Sequence, residues 1–262
     1  RAAAADYARA SLHAAGKAES AEVAERVGSV ANVARTLATS LETVNNDVGA
    51  DLDRPAVEGL LKTVLGSKPS LHAVFTRWEI DAFDEMDLMY GSTPGTDETG
   101  RFMPRFHRGG GEVALAPADD PAIRELVGQL EAGAAAAAAG PVDREGVSCL
   151  LLAAPVVGDG APLGLVGIEL PVVAMQRAAA DFDLLEGTAS LLVTRPDGRV
   201  LARSDGDAAA RACVLGDSAD ADVLDAGARG TLAERRGAQP FTTDDALTAV
   251  LPIAIPGTDL HV

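Results

Sequence analysis

The sequence predicts an α+β chain in which a long N-terminal helix precedes two units, each an antiparallel sheet flanked by helices. Three observations predict it. Val23, Val27, Val30, Val33, Leu37, Leu41, Val44 and Val48 recur every three or four residues, which is helical spacing close to a heptad seam. Apolar runs at 148–157 and 163–170 flank Gly158-Asp159-Gly160, a hairpin signal. After residue 183 the pattern starts again with two apolar runs about Pro196-Asp197-Gly198, a sequence suited to a tight turn.

The first helix is expected over 2–46. At about 1.5 Å per residue such a rod is on the order of 60 Å long, so it is expected to pass more than one packing unit or to meet a second copy of itself. Pro55 is suited to the first turn of a second helix running to Leu65, and 66–70 turns the chain. Lys68 after Gly66 lacks the glycine and Ser/Thr of a phosphate loop. A strand is expected over 71–78, then a glycine-rich loop, then strands over 101–106 and 112–115 joined by His107-Arg108-Gly109-Gly110-Gly111. Asp119-Asp120-Pro121 is a helix start, and the alanine-rich run behind it is expected to carry that helix to Gly140. A short helix is expected over 171–183. The second unit is assigned strands over 188–194, 199–203, 231–235 and 247–255, with a last one beginning at 258.

A formal net charge of -17 speaks against a nucleic-acid or anionic-lipid surface, since binding phosphates takes a basic face. The four histidines show no metal-ligand spacing, there is no Cys-x-x-Cys, and Gly146-Val147-Ser148 lacks the second glycine of a nucleophile elbow. No enzyme, cofactor or metal is therefore expected. Cys149 and Cys213 both lie beside apolar residues; two buried free thiols is the main reading and one disulfide the other. The sequence has no apolar run long enough to span a bilayer. It begins at Arg1 and stops at Val262 in a strand-like run, so a piece excised from a longer protein is expected.

The chain has one Trp, two Tyr and six Phe, and Phe75, Trp78, Phe83, Tyr90, Phe102 and Phe106 crowd a single stretch. Glu79, Asp81, Asp84, Glu85, Asp87, Arg101 and Arg105 are interleaved with them. Rings with a few charges line small-ligand pockets; rings that merely plug the end of a core are the competing reading. Glu169 is a lone acid among apolar neighbours, costly there unless it is paired or faces a cavity that a cation can enter.

Trp78, the run Ala82-Phe83-Asp84 with Asp87 beyond it, Gly100-Arg101-Phe102 with Pro104, Pro155-Val156-Val157, and the run from Gly164 to Leu170 together resemble a double Cache (dCache) sensor domain. That resemblance implies a long helix over 1–52, a membrane-distal PAS-like ligand-binding subdomain over 53–183 and a membrane-proximal one over 184–262. It implies the periplasmic or extracellular sensing part of a bacterial inner-membrane receptor, first a methyl-accepting chemotaxis transducer, otherwise a histidine kinase or cyclase. The partners so implied are a small ligand (an amine, an amino acid or a carboxylate) and a second copy of the chain through the N-terminal helix. The ligand-binding residues expected are Trp78, Asp84, Tyr90, Arg101, Phe102, Asp143 and Glu169. Rings would enclose the ligand, Arg101 would pair a carboxylate or else clamp the acidic loop 81–87, and Asp143 or Glu169 would pair an amine. Relatives commonly carry a Trp-Tyr pair where this chain has its alanine-rich segment, which also allows a dimerising module with a degenerate pocket.

Overall fold

The computed structural model describes residues 2–46, 53–158, 160–173 and 175, together with four short strands at 192–194, 200–203, 239–242 and 247–250. Two compact units are present, one of Ser29–Pro171 and one of Arg1–Gly28 with Val172–Val262. Helix α1, Ala2–Asn46, contributes to both. Among the described residues no helix is long and apolar enough to cross a membrane.

Within the unit Ser29–Pro171, α1 buries Val30, Ala31, Ala34, Leu37, Ala38 and Leu41. Val30, Leu37 and Leu41 of the expected stripe lie on this face. Val33 is only partly buried, and three alanines complete the core face, because a helix on a broad core turns a wider sector inward than a coiled-coil seam does. Val48 lies outside the described residues. Helix α2, Arg54–Ser67, is capped by Asp53, whose carboxylate accepts from Ala56 N–H. It buries Val57, Leu61 and Leu65. Its C-terminal end is fastened to the sheet by Arg108, which donates to the carbonyls of Leu65 at 2.6 Å and Leu71 at 3.0 Å.

The sheet contains β1 (Ala73–Trp78), β2 (Pro104–Gly109), β3 (Glu112–Pro117), β4 (Ala137–Arg144), β5 (Val147–Gly158) and β6 (Ala161–Pro171), in the order β3-β2-β1-β6-β5-β4. Every pairing is antiparallel. The hairpins β2–β3 and β5–β6 stand where the glycines predicted them, but His107 and Arg108, expected in the first connection, are strand residues paired with Ala114 and Val113, because the two glycines 110 and 111 alone close the turn. Gly110 and Gly111, at φ 60° and 91°, close the first with the positive dihedrals that a two-residue hairpin turn demands.

Helix α3, Pro121–Glu131, begins as expected, with Asp120 accepting from the N–H groups of Ala122 and Ile123. It does not run to Gly140. Gly133 takes φ 93°, its N–H reaches Leu130 O at 3.0 Å, and Ala134 N–H reaches Gln129 O at 3.2 Å, the paired hydrogen bonds of a Schellman stop. The Gln129 side chain then grips both backbone groups of Ala138, and the alanines continue as strand β4. Their helix propensity is overridden because Ala137 and Ala139 belong to the core cluster with Ile123, Leu126 and Leu130 of α3. Small side chains there suit a helix lying on the sheet.

In the other unit, β7 (Leu192–Thr194) pairs antiparallel with β8 (Val200–Arg203), as the Pro-Asp-Gly turn predicted. β9 (Gln239–Thr242) pairs with β10 (Leu247–Val250); β9 was not foreseen. The turn at 195–199, most of the helix expected over 171–183, the strands expected over 231–235 and from 258, and Cys213 lie outside the described residues. Cys149 is buried and free, and burial pushes its thiol far up.

At the centre of the larger sheet Gly167 faces Phe75 across β6 and β1, and a Cβ on Gly167 would overlap the Phe75 ring. Gly167→Ala is expected to cost about 1–3 kcal/mol in urea unfolding, and Phe75→Leu is expected to recover part of that loss in the alanine background. Additive costs of the two changes would show that the ring does not hold position 167 to glycine.

Candidate functional site

The predicted site residues fall into separate groups, and the first is organised by a residue that sequence reading passed over. Arg54 is the opening residue of α2 and is 4% exposed. Its Nε and Nη2 donate to both oxygens of Asp84 at 2.8 Å, Nη2 also donates to Asp87 Oδ1 at 2.5 Å, and Nη1 donates to Gly100 O at 2.9 Å. Its guanidinium lies over the Tyr90 ring at 4.2 Å and the Phe102 ring at 5.1 Å. Phe102 packs against Phe83 with ring centroids 4.7 Å apart, and Phe83 against the fully buried Trp78 at 4.9 Å, both pairs tilted. Trp78, Asp84, Tyr90 and Phe102 are thus gathered, but the cation they surround is the protein's own. A signal was available: a basic side chain at the first turn faces the positive end of the helix dipole and needs an anion to hold it there.

The acidic loop is locked to the same group. Asp81 N–H donates to Asp87 Oδ2 at 2.8 Å, and Asp87 N–H donates to Asp81 Oδ1 at 3.3 Å. Gly100, at φ 85°, passes so close to the Asp87 carbonyl that a Cβ would overlap it. Burial alone would raise the Asp84 carboxyl; hydrogen bonds from Arg54 and from Met86 N–H, with the Arg54 charge, outweigh burial and hold it below its usual value. Clamping the loop, one of the two roles foreseen for Arg101, therefore falls to Arg54.

Arg101 stands beside Arg77 of β1. Their guanidinium groups approach opposite oxygens of Glu79 at 3.6 Å and 3.5 Å. The Nε atoms of both are buried without a hydrogen-bond partner. Burial lowers the Arg77 pKa and the Arg101 charge lowers it further, against the pull of Glu79, Asp119 and Asp97. Two partly desolvated guanidinium groups with unused N–H donors favour an anion between or beside them.

Glu169 has no solvent exposure. Arg105 donates to its two oxygens through Nε at 2.9 Å and Nη2 at 2.8 Å. Arg144 Nε lies 2.9 Å from Glu169 Oε1, while Arg144 Nη2 lies 2.8 Å from Asp120 Oδ2. Burial alone would lower the Arg105 pKa, but the hydrogen bonds and charge of Glu169 outweigh it and the net shift is upward. Of the two ways sequence reading allowed an acid here, the structure shows pairing: an incoming amine would have to displace a forked guanidinium. Asp143 is exposed and accepts from Gly146 N–H at 3.0 Å, closing the β4–β5 turn.

These groups do not converge. Side chains alternate along a strand, and directly paired residues share a face. Glu169 pairs with Ala73, so it shares a face with Phe75 and Arg77, whereas Trp78 points to the opposite face. Arg77 and Glu169 share that face but stand toward opposite ends of β1.

No family model matches the chain, and no curated protein does. Solved structures do. The extracellular domain of the histidine kinase mmHK1S-Z2 is 19% identical with a TM-score of 0.73, covering 100% of this chain and 95% of that one. Methyl-accepting chemotaxis protein X is 19% identical with a TM-score of 0.72, covering 95% and 93%. The ligand-binding domain of the Pseudomonas aeruginosa PAO1 amino acid chemoreceptor PctC, solved with GABA, is 15% identical with a TM-score of 0.61, covering 97% and 96%. The chain has the fold of these sensory domains along its length, a long helix and antiparallel sheets of the Cache type.

Arg54→Ala is expected to destabilise by about 3–5 kcal/mol, because it strands Asp87, which is 2% exposed, without its cation; denaturant unfolding measures this. The depressed Asp84 carboxyl adds stability that is complete above its unfolded value, about 3.9, and is lost as the pH falls through its lower folded value. Asp84→Asn should therefore flatten the fall in stability on acidification below about pH 4; an unchanged acid limb would remove Asp84 from that role.

Proposed function

We propose that this chain is the extracytoplasmic sensing domain of a bacterial transmembrane signalling receptor, in first place a methyl-accepting chemotaxis transducer. A histidine kinase or cyclase is the alternative output. The observation that carries the reading is the fold shared end to end with receptor sensory domains. Membrane attachment of the whole protein and pairing of two copies through α1 belong to the same proposal.

The ligand is a small molecule bearing a carboxylate, bound in the unit Ser29–Pro171, and its anionic end is held by Arg101 and Arg77. Their unpartnered Nε groups support this, as each can donate to a carboxylate oxygen without giving up Glu79. PctC was solved with GABA and a Campylobacter jejuni receptor, Tlp3, with 4-methylisoleucine, and both ligands carry a carboxylate. Binding becomes a signal only if the ligand prefers one of two conformations, typically by a few kcal/mol. Trp78, Asp84, Tyr90 and Phe102 act in this reading by holding the loop that carries Arg101, and Glu169 acts as an internal counter-ion.

One observation favours a second reading, a module whose pocket has degenerated. The charges of Glu169, Arg105, Arg144 and Asp120 answer one another on the sheet face.

Thermal-shift screening against amino acids, amines and small carboxylates separates the two. A carboxylate at a hundred times its Kd should stabilise the protein by about 2.7 kcal/mol. Arg101→Ala should weaken that binding at least about tenfold, the worth of a charge-assisted hydrogen bond. A hit from simple amines that survives Arg101→Ala would overturn the carboxylate site, and no hit at millimolar concentration would favour the degenerate module.

A further inference from the structure

We propose that His72, His107 and Glu145 form a binding site for a borderline transition-metal ion such as Zn2+, with a fourth coordination position open to solvent. The three residues come from separate elements. His72 directly precedes β1, His107 is on β2, and Glu145 lies in the turn between β4 and β5. Glu145 Oε2 is 3.1 Å from His107 Nδ1 and 3.3 Å from His72 Nε2, and all three atoms lie within 4.8 Å of one another. Ligand bonds of about 2.1 Å at tetrahedral angles put neighbouring ligand atoms roughly 3.4 Å apart, so the carboxylate oxygen already sits at such a spacing from each imidazole.

The chemistry of the donors agrees with that spacing. His72 is 5% exposed, and its Nε2 faces the carboxylate without making a hydrogen bond. A buried ring nitrogen without a partner is costly, and a metal would satisfy it. Two imidazoles with one carboxylate suit zinc and its neighbours rather than Mg2+ or Ca2+, which take oxygen ligands.

Access and charge agree as well. Glu145 is half-exposed, which gives an ion a way in. Its backbone takes φ 54°, a left-handed conformation uncommon for a residue other than glycine, asparagine or aspartate, and this is the residue whose carboxylate reaches across to both histidines. The nearest opposing charge, Arg105 Nη1 at 3.9 Å from Glu145 Oε1, is compensated by Glu169. His72 also forms a trio with Cys149 and Glu169, but both Glu169 oxygens are engaged by Arg105 and the Cys149 thiol resists ionisation. His72 is separated from Arg77 by about 16 Å of strand, so this site and the carboxylate site stand or fall separately.

The test is calorimetric titration of the untagged, chelator-stripped chain with Zn2+ alone, followed by Co2+ as a spectroscopic probe. One equivalent should bind, Ca2+ should not, and bound Co2+ should show the visible bands of a low-coordinate site. Glu145→Gln and His107→Ala should each weaken binding at least about tenfold and abolish the bands, with the fold checked by circular dichroism. Absence of binding overturns the proposal, as does a stoichiometric site unaffected by both substitutions. Loss of binding in Cys149→Ser with retention in Glu145→Gln also overturns it, by assigning the ion to the buried trio.

Discussion

A carboxylate with no access to water has to be answered by a cation, and in the larger unit that requirement fixes much of the architecture. Glu169 on β6 draws in Arg105 from β2 and Arg144 from the end of β4, and Arg144 in turn reaches Asp120, the residue that caps α3. One buried charge therefore ties three strands and a helix start to the same point. A buried ion pair need add little net stability over an apolar substitute, because desolvation offsets the attraction. Its effect here is on arrangement: breaking any one contact leaves another charge stranded.

The same constraint operates at the aromatic loop with the signs exchanged. Arg54 is buried, and Asp84, Asp87, the Gly100 carbonyl and the rings of Tyr90 and Phe102 are disposed around it. Rings interleaved with acids can serve a ligand or an internal cation equally well, because both offer the same charge to the same donors and π faces. What separates Arg77 and Arg101 from these two networks is that both are cations and share the single carboxylate of Glu79, whereas Glu169 and Arg54 each meet opposite charges on two sides. Arg77 and Arg101 each keep a buried N–H without a partner, and unused donors of this kind are where a ligand has something to gain.

The architecture was largely legible because it rests on local signals. Helical spacing placed α1, the Asp-Asp-Pro start placed α3, and glycine pairs placed the β2–β3 and β5–β6 hairpins. The alanine run was misread, since its propensity favours helix while a single glycine at positive φ and the side chain of Gln129 decided otherwise. The site was less legible. The stretch from Phe75 to Phe106 was read as the lining of a small-ligand pocket or a plug of the core, but the partner of Asp84 is thirty residues away in sequence, and no local pattern encodes such a pairing.

By itself, then, the sequence determined most of the elements, their order, the glycine-marked hairpins and an acidic character that speaks against a nucleic-acid partner, because each follows from spacing, turn chemistry or composition. Only the tertiary structure decided which charges meet. It set Arg54 among the acids and rings of the aromatic loop, gave Arg105 to Glu169, and set Trp78 and Glu169 on opposite faces of one sheet. The physical reason is that strand register and burial, which are properties of the assembled sheet, determine which polar groups lose water and must find one another.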